Sequence, residues 1–280
     1  MDLSVVVPAY REGTRIHDNL QRLLVELDQL NAEYEVLVVS DGNTDTTATE
    51  AARVPSPRVT VLDYPVNMGK GYALGYGVRH STGELVTFID ADMELHPKEI
   101  RNFIELMTVR DLDIVIGSKR HPQSRVYYPA FRRLQSFVYQ LLIRLLFDVG
   151  VRDTQTGLKL FRRQVLADSL PLLAVKQFAF DLELLVVARR LGYTRVGEAP
   201  IELSYHFAST ISPAAVFKIL WDTAAIFYRL HITHYYDRRR RELGIRGAAV
   251  HLTVEATPPD PDDTALPSTP AFPADGVRLP

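Results

Sequence analysis

The chain has 280 residues, of which 46% are hydrophobic and 24% are charged, a composition typical of a soluble globular protein with one large domain or two small ones. The absence of cysteine excludes disulfide bonds and thiolate metal sites. The formal net charge of −2 does not favour nonspecific binding to nucleic acid, and no uncharged apolar run reaches the ~20 residues that a membrane-spanning helix needs.

The first part of the chain predicts strands that alternate with helices. Strands are predicted from short apolar runs at residues 3–7, 35–40, 58–62, 85–89 and 113–116. Helices are predicted at residues 20–30, 44–53, 69–80 and 97–107. This alternation predicts an α/β fold with a mainly parallel sheet that is covered by helices on both faces. Because ligands of such sheets bind at the carboxyl ends of the strands, a site is expected near Tyr10, Asp41 and Asp90.

The most informative segment is residues 84–97, in which an apolar run ends at Asp90, Ala91 and Asp92, followed by Glu94. Side chains alternate along a strand, so the two aspartates are expected on the same side of its end. Adjacent carboxylates repel each other, and Mg²⁺ relieves this repulsion by binding one or two carboxylates together with substrate phosphates. The segment therefore predicts a metal and diphosphate site. The alternative is an acidic turn that ends the strand and caps the next helix.

Four segments occur in order: VVVPAYRE, VVSDGNTDTT, NMGKG and DAD, at residues 5–12, 38–47, 67–71 and 90–92. Each is common alone, but the ordered set resembles the family 2 nucleotide-sugar glycosyltransferases, which have the GT-A fold. The resemblance implies the GT-A fold, a nucleotide-diphosphate sugar donor, and Mg²⁺ or Mn²⁺ as cofactor.

The resemblance also implies which residues bind the donor. The end of the first strand and the Asp after the second strand hold nucleobase and ribose in this family, and here these residues are Pro8, Tyr10, Glu12 and Asp41. The implied metal ligands are Asp90 and Asp92, the latter also catalytic through the metal, with Glu94 as a third metal-site residue. The remaining residues implied at the donor are Asn67, Gly69, Lys70 and Ala91. For the lysine, which would reach a phosphate or the sugar, the alternative is a solvated residue at a helix start.

Three later segments, GSKR, DTQTGLKLF and FAFDLELL at residues 117–120, 153–161 and 178–185, resemble the branch of the family that glycosylates polyprenyl phosphates. Within that branch the dolichyl-phosphate β-glucosyltransferases are most similar and the dolichyl-phosphate mannose synthases come next. The resemblance covers residues 3–210. It implies inverting transfer of a hexose to a polyprenyl phosphate, with UDP-glucose as the donor or GDP-mannose as the alternative.

The acceptor decides whether the site needs a general base. The second pKa of a phosphate monoester is ~6, so a phosphate acceptor is already anionic and needs positive counter-charge rather than a base. The resemblance implies such cations at Lys119 and Arg120, and again at Arg132 and Arg133. For the latter pair the alternative is an ordinary solvated helix face.

A sugar hydroxyl as acceptor would require a base. Asp153 and Gln155 are expected to orient the acceptor or line the donor pocket, but Asp153 is also a candidate base. Asp181 and Glu183 are further candidates, for which structural acids at a helix start are the alternative. Two other interpretations therefore remain: a transferase to a hydroxyl of a cell-surface polysaccharide, and an inactive nucleotide-sugar-binding protein at a membrane.

A polyprenyl acceptor resides in a bilayer, so the protein is expected to bind the cytoplasmic membrane face peripherally. We expect a catalytic domain at residues 1–210, a membrane-interface element at 211–245, and a disordered Pro-rich acidic tail at 251–280. No nucleic-acid recognition motif is present.

Two segments are amphipathic enough to dock at a membrane surface. Residues 213–236 fit one helix, and four arginines follow at 238–241. The charged residues of this helix fall in one stripe: Lys218, Asp222 and Arg229. Residues 126–147 form the second candidate, and packing on the core or in a homodimer is the alternative for both.

Overall fold

The structure, a computed structural model, describes residues 1–124, 130–147, 149–175, 179–202 and 213–248. For residues 130–138 and 213–217 it describes the backbone but not the side chains. The predicted disordered tail at 251–280 lies outside the described residues.

Within the described residues, seven strands form one sheet in the order β3-β2-β1-β4-β6-β5-β7. The strands are β1 (Leu3–Ala9), β2 (Tyr34–Asp41), β3 (Val59–Tyr64), β4 (Leu85–Phe88), β5 (Ile114–Ser118), β6 (Lys159–Arg162) and β7 (Val196–Pro200). Only β6 runs antiparallel to its neighbours, β4 and β5. The predicted mainly parallel α/β sheet is therefore confirmed, while β6 and β7 have no counterpart among the predicted strands.

Helices cover both faces of the sheet. They are α1 (Ile16–Leu27), α2 (Thr47–Ala52), α3 (Lys70–His80), α4 (Glu99–Val109), α5 (Ala130–Phe147), α6 (Arg163–Ser169), α7 (Phe180–Arg190), α8 (Pro213–Phe227) and α9 (Tyr235–Glu242). A 3₁₀ turn follows α6 at Leu170–Leu172, and a π-helical turn follows α8 at Tyr228–Ile232.

Two hydrophobic cores lie on opposite sides of the sheet because side chains alternate along each strand. Val5 faces one core, which also contains Leu20 of α1 and Phe103 of α4. Val6, the next residue, faces the other core with Leu74 of α3 and the apolar side of α7. Burial on both faces explains why these strands are apolar throughout.

The predicted single helix at residues 213–236 is wrong. α8 ends at Phe227 and, after the π-helical turn, His234 adopts a left-handed conformation with φ of 48° before α9 begins. Ile226 and Tyr236 are both buried in the core that contains α7. The break at His234 thus lies between two residues that are both buried in this core.

The predicted stripe of charged residues is also not one solvent face. Lys218 is exposed, whereas the Arg229 guanidinium donates from Nη2 to the buried Glu183 carboxylate over 3.1 Å. One side of the segment formed by α8, the π-helical turn and α9, here called the C-terminal element, therefore packs on α7. In the described part of the chain, no helix is both long and apolar enough to cross a membrane.

Candidate active site

A cavity of about 450 Å³, here called the donor cavity, opens beside the carboxyl ends of β1 and β2 and the turn after β4. This is where the ligand of a parallel sheet is expected to bind. Its lining unites the residues predicted at the donor from four separate segments, and adds Ala9, which the sequence analysis did not single out. The lining residues are Pro8, Ala9, Tyr10, Glu12, Asp41, Asn67, Gly69, Lys70, Asp90, Ala91 and Asp92.

The end of β1 supplies an exposed aromatic ring to the donor cavity. Tyr10 is 41% exposed, and the Arg11 guanidinium carbon lies 5.2 Å from the centre of its ring. The next residue, Glu12, donates its backbone N–H to Thr47 Oγ1 over 2.9 Å and accepts a bond from Arg15 Nε over 2.5 Å. Burial raises the pKa of the Glu12 carboxyl although Arg15 opposes it. A flat ligand can stack on the tyrosine ring at this position.

Asp41 at the end of β2 holds the loop that leads into α3. Its Oδ1 accepts hydrogen bonds from Tyr64 Oη and Met68 N, at 2.9 and 2.7 Å, and its Oδ2 accepts one from Gly69 N at 2.9 Å. The carboxylate is buried, so these bonds replace the water it loses on folding. Asp41 therefore fixes the floor of the donor cavity, and the contact with the nucleobase implied by the resemblance stays a prediction.

Lys70 begins α3 and points at the acidic motif. Gly69 precedes it with a φ of 92°, which favours glycine. A Cβ on Gly71 would lie 2.6 Å from the Phe180 ring, so this glycine permits close packing of α3 on α7. From this fixed start, Lys70 Nζ reaches to 2.5 Å from Asp90 Oδ1. Lys70 is therefore paired with a carboxylate, and its contact with the donor stays a prediction.

Opposite charges at this contact favour the ionised form of both groups. Burial acts to lower the pKa of Lys70, but the charges of Asp90 and Asp181 outweigh it, and the pKa lies above its usual value. Burial likewise acts to raise the pKa of Asp90, but Lys70 and Lys159 outweigh it, and that pKa lies below its usual value. The Asp90 carboxylate therefore remains charged at the edge of the cavity.

The two aspartates of the DAD motif meet in a turn and not along a strand. β4 ends at Phe88, and the Met93 N–H donates to the Asp90 carbonyl oxygen over 3.1 Å. Asp92 Oδ1 accepts a bond from Glu94 N at 3.1 Å. Burial, followed by the charge of Asp90, raises the pKa of Asp92. The expected repulsion between the two carboxylates is thus present, although the strand alternation used to predict it is not its cause.

The carboxylates fit a divalent cation as a pair. Asp90 and Asp92 line the same cavity, and their mutual repulsion is the kind that a cation relieves. The predicted trio does not form: among the described residues, no three His, Asp or Glu side chains converge closely enough to hold a metal. Glu94 is exposed, and Asp90 Oδ1 is paired with Lys70 Nζ. A pair suffices for Mg²⁺, which takes further ligands from water and substrate phosphates.

A second cavity of about 70 Å³, here called the side cavity, adjoins the donor cavity and shares Asp90 and Asp92 with it. Its other lining residues are Glu94, Leu95, Lys119, Gln155 and Gly157. A Cβ on Gly157 would lie 2.0 Å from Asp90 Oδ2, so only glycine permits this loop to close over the aspartate. The sequence analysis did not single out Gly157, although it ends the polar part of the DTQTG segment.

Asp153 joins the two loops that border the side cavity. Its Oδ2 accepts a bond from Lys119 N at 3.2 Å, and its Oδ1 accepts one from Gln155 N at 3.1 Å. Asp153 is buried and lines neither of the two cavities. It positions Lys119 and Gln155, which do line the side cavity.

Of the other three cations predicted at the acceptor, the structure describes the side chain of only one. Arg120 lines neither of the two cavities. Arg132 and Arg133 lie in α5, and their side chains fall outside the described part of the chain.

Asp181 and Glu183, the other candidate bases, both hold structural contacts. Asp181 Oδ1 accepts a bond from the buried Lys159 Nζ at 2.8 Å. Glu183 is completely buried and accepts hydrogen bonds from Ala174 N, Val175 N, Tyr236 Oη and Arg229 Nη2. These contacts fit the alternative of structural acids at the start of α7.

Comparison with known proteins is consistent with this geometry. The model of glycosyl transferase family 2 matches residues 4–170, the part of the chain that contains both cavities. The chain belongs to this family. It is a glycosyltransferase.

The sequence is also similar to named members of the family. It is 34% identical over 253 residues to dolichyl-phosphate beta-glucosyltransferase ALG5A of Trichomonas vaginalis, covering 85% of this chain and 77% of that one. It is 34% identical over 207 residues to the dolichyl-phosphate beta-glucosyltransferase of Drosophila melanogaster, covering 68% and 64%. The resemblance to the polyprenyl-phosphate branch is therefore confirmed.

Solved structures confirm the predicted GT-A fold. Glucosyl-3-phosphoglycerate synthase from Mycobacterium tuberculosis, solved with Mn²⁺, UDP-glucose and phosphoglyceric acid, has a TM-score of 0.64 at 20% identity, covering 81% of this chain and 79% of that one. Mannosyl-3-phosphoglycerate synthase from Rubrobacter xylanophilus has a TM-score of 0.60 at 18% identity, covering 87% and 75%.

Proposed function

We propose that this glycosyltransferase moves glucose from UDP-glucose to a polyprenyl phosphate, with inversion at the sugar. The observation that carries the proposal is the junction of the two cavities at Asp90 and Asp92, with Lys119 in the smaller one. The donor would occupy the larger cavity and the acceptor phosphate the smaller. The relatives named dolichyl-phosphate beta-glucosyltransferase support glucose as the sugar and a polyprenyl phosphate as the acceptor.

The site suits an acceptor that needs no deprotonation. Each of the three acids considered as a base is already engaged: Asp153 by two backbone N–H groups, Asp181 by Lys159, and Glu183 by four donors. A phosphate acceptor is anionic near neutral pH and attacks without a base. Lys119 would supply its counter-charge and Gln155 would help to orient it.

The leaving group needs positive charge. Asp90 and Asp92 would hold Mg²⁺ or Mn²⁺, which supplies neutralisation of the departing diphosphate when bound. Lys70, at the start of α3, would add a second positive charge beside the same diphosphate. Tyr10 would stack on the nucleobase at the mouth of the donor cavity.

The proposed acceptor requires contact with a membrane, and a surface formed by α5, α8 and the π-helical turn suits peripheral docking. α5 and α8 are adjacent, since the ring centres of Phe147 and Phe227 are 6.3 Å apart. Large apolar side chains remain exposed on these helices: Leu141, Leu145, Leu220, Trp221, Tyr228 and Ile232. Such a surface beside the arginines of α9 fits the cytoplasmic face of a membrane with anionic lipid.

The arginines of α9 differ in their exposure and in their contacts. Arg238 and Arg239 are exposed, as is Arg241. Arg240 instead donates to the carbonyl oxygens of Ile245 and Arg246, so it stabilises the turn after α9. Sedimentation with anionic liposomes tests the docking: Trp221→Ser and Arg238→Ser should each reduce the bound fraction, and salt should weaken binding of the intact protein. Equal binding by all three proteins would contradict docking through this surface.

One incubation tests the reaction. Radiolabelled UDP-glucose and GDP-mannose are supplied separately, with and without a short polyprenyl phosphate, and the products are extracted into organic solvent. We expect lipid-soluble label from UDP-glucose only when the lipid is present, and its release as free glucose by mild acid. Lipid-soluble label from GDP-mannose and not from UDP-glucose would show that GDP-mannose is the donor. Label retained in a polysaccharide regardless of added lipid would favour a hydroxyl acceptor and overturn the proposal.

A further inference from the structure

Lys70, which would bind the diphosphate of the donor, contacts one of the carboxylates that would bind the metal. Its ammonium group lies 2.5 Å from Asp90 Oδ1, and thus sits on one of the oxygens that would bind the metal. The Lys70 side chain is 35% exposed, and both residues line the donor cavity. A positive charge from the chain itself therefore contacts one of the two carboxylates that would bind a divalent cation.

Close packing surrounds the Asp90 carboxylate and the backbone on both sides of Lys70. The Asp90 carboxylate is confined on its other side, since a Cβ on Gly157 would lie 2.0 Å from Oδ2. The backbone before Lys70 is fixed by the bond from Gly69 N to Asp41, and the backbone after it by the packing of Gly71 on Phe180. The long lysine side chain is the flexible partner of the pair.

We propose that Lys70 is an internal counter-cation that keeps the metal off Asp90 until a nucleotide diphosphate draws the lysine away. The inference rests on the proposed function, because it assumes a diphosphate donor and a divalent cation at this site. Without nucleotide, ammonium and metal compete for the same carboxylate oxygen. With nucleotide, the diphosphate gives the ammonium group a second anionic partner and gives the metal additional oxygen ligands.

The consequence is coupled binding of metal and nucleotide. Metal should bind weakly to the free protein and more tightly once the diphosphate is present, and by linkage the metal should tighten nucleotide binding by the same factor. Such coupling prevents the metal from occupying a site that contains no substrate.

Binding of Mn²⁺ tests this without any turnover. Electron paramagnetic resonance measures free Mn²⁺ during titration of the full chain, with and without UDP. We compare the unchanged protein with Lys70→Met, which keeps the length and removes the charge, and with Lys70→Arg, which keeps the charge. Lys98→Met is the matched control, because Lys98 forms an exposed pair with Glu202 away from both cavities.

For the unchanged protein and Lys98→Met, we expect UDP to tighten Mn²⁺ binding by about tenfold or more. Lys70→Met should bind Mn²⁺ alone about tenfold more tightly than the unchanged protein, with a smaller gain from UDP, whereas Lys70→Arg should behave like the unchanged protein. Circular dichroism checks that each variant is folded, and Lys70→Gln gives the same comparison if the methionine variant is not.

Two outcomes separate the inference from the proposed function. If Mn²⁺ binds Lys70→Met alone no more tightly than the unchanged protein, the lysine does not compete with the metal and the inference is refuted, while the proposed reaction stands. If UDP does not bind the unchanged protein by calorimetry, the uridine nucleotide is not the donor, and the proposed transfer from UDP-glucose is refuted.

Discussion

Replacing Glu183 by alanine is expected to destabilise the protein strongly while leaving the chemistry of the site intact. The carboxylate is completely buried and accepts hydrogen bonds of 3.0 and 2.7 Å from two backbone N–H groups of the loop before α7. It accepts two more from the C-terminal element, 2.6 Å from Tyr236 Oη and 3.1 Å from Arg229 Nη2. Glu183 thus joins α7, this loop, the π-helical turn and α9.

The expected magnitude follows from these partners. Removing one member of a buried charged pair typically costs ~3–5 kcal/mol, because the remaining charge and donors stay buried without a partner. Arg229 is 22% exposed and regains part of its hydration, so we expect Glu183→Ala to lower the free energy of unfolding by ~3–4 kcal/mol. Glu183→Gln keeps the volume, but its amide NH₂ faces donors on one side, so we expect a loss of ~2 kcal/mol.

Urea denaturation followed by circular dichroism measures these losses. Glu202→Gln is the control: its carboxylate pairs with Lys98 over 2.9 Å at the surface, so its loss should cost less than ~1 kcal/mol. Turnover is measured at a low temperature, where the variants remain folded, and should stay close to that of the unchanged protein. The reasoning is refuted if Glu183→Gln keeps its unfolding free energy but loses turnover ~100-fold or more, since that is the signature of a general base.

Three further predictions concern the site and the acid stability of the fold. Asp92→Ala should lower turnover ~100-fold or more through lost stabilisation of the diphosphate, and full activity in excess EDTA would contradict metal assistance. Lys119→Ala should raise the apparent KM for polyprenyl phosphate ~10–100-fold, corresponding to ~1.5–3 kcal/mol for a charge-assisted bond, while the KM for the donor stays constant. Burial acts to raise the pKa of Glu35, but hydrogen bonds from Ser4 and Thr82 outweigh burial, and the pKa is lowered. The stability that these hydrogen bonds add is therefore present above ~pH 4.5 and is lost as the pH falls through the lowered pKa. In urea denaturation, the stability that Glu35→Gln loses relative to the unchanged protein should therefore be larger at about pH 7 than at about pH 3.

The sequence by itself determined the parallel half of the sheet and the place of the candidate site. Apolar runs such as residues 3–7 identify strands because strands buried on both faces need apolar side chains throughout. Polar residues directly after such runs, including Asp41 and Asp90, then lie at the carboxyl ends of the strands. The donor cavity could be predicted because this rule depends only on local pattern and strand direction.

Only the tertiary structure decided which groups meet. β6 lies between β4 and β5 through pairings with residues distant in the chain, and no local periodicity encodes such a neighbour. The break at His234 is likewise followed by the burial of Tyr236 in the core that contains α7, a contact between residues distant in the chain.

The partners of the charged groups were likewise decided only by the tertiary structure. The contact of Lys70 with Asp90 joins the start of α3 to the turn after β4, and the buried Glu183 receives donors from three other segments. Local sequence specifies that a side chain is charged and, through periodicity, which face of an element it lies on. Its role as ligand, base or structural anchor depends on which opposite charge or donor lies within hydrogen-bond distance, and packing between elements distant in the chain determines that distance.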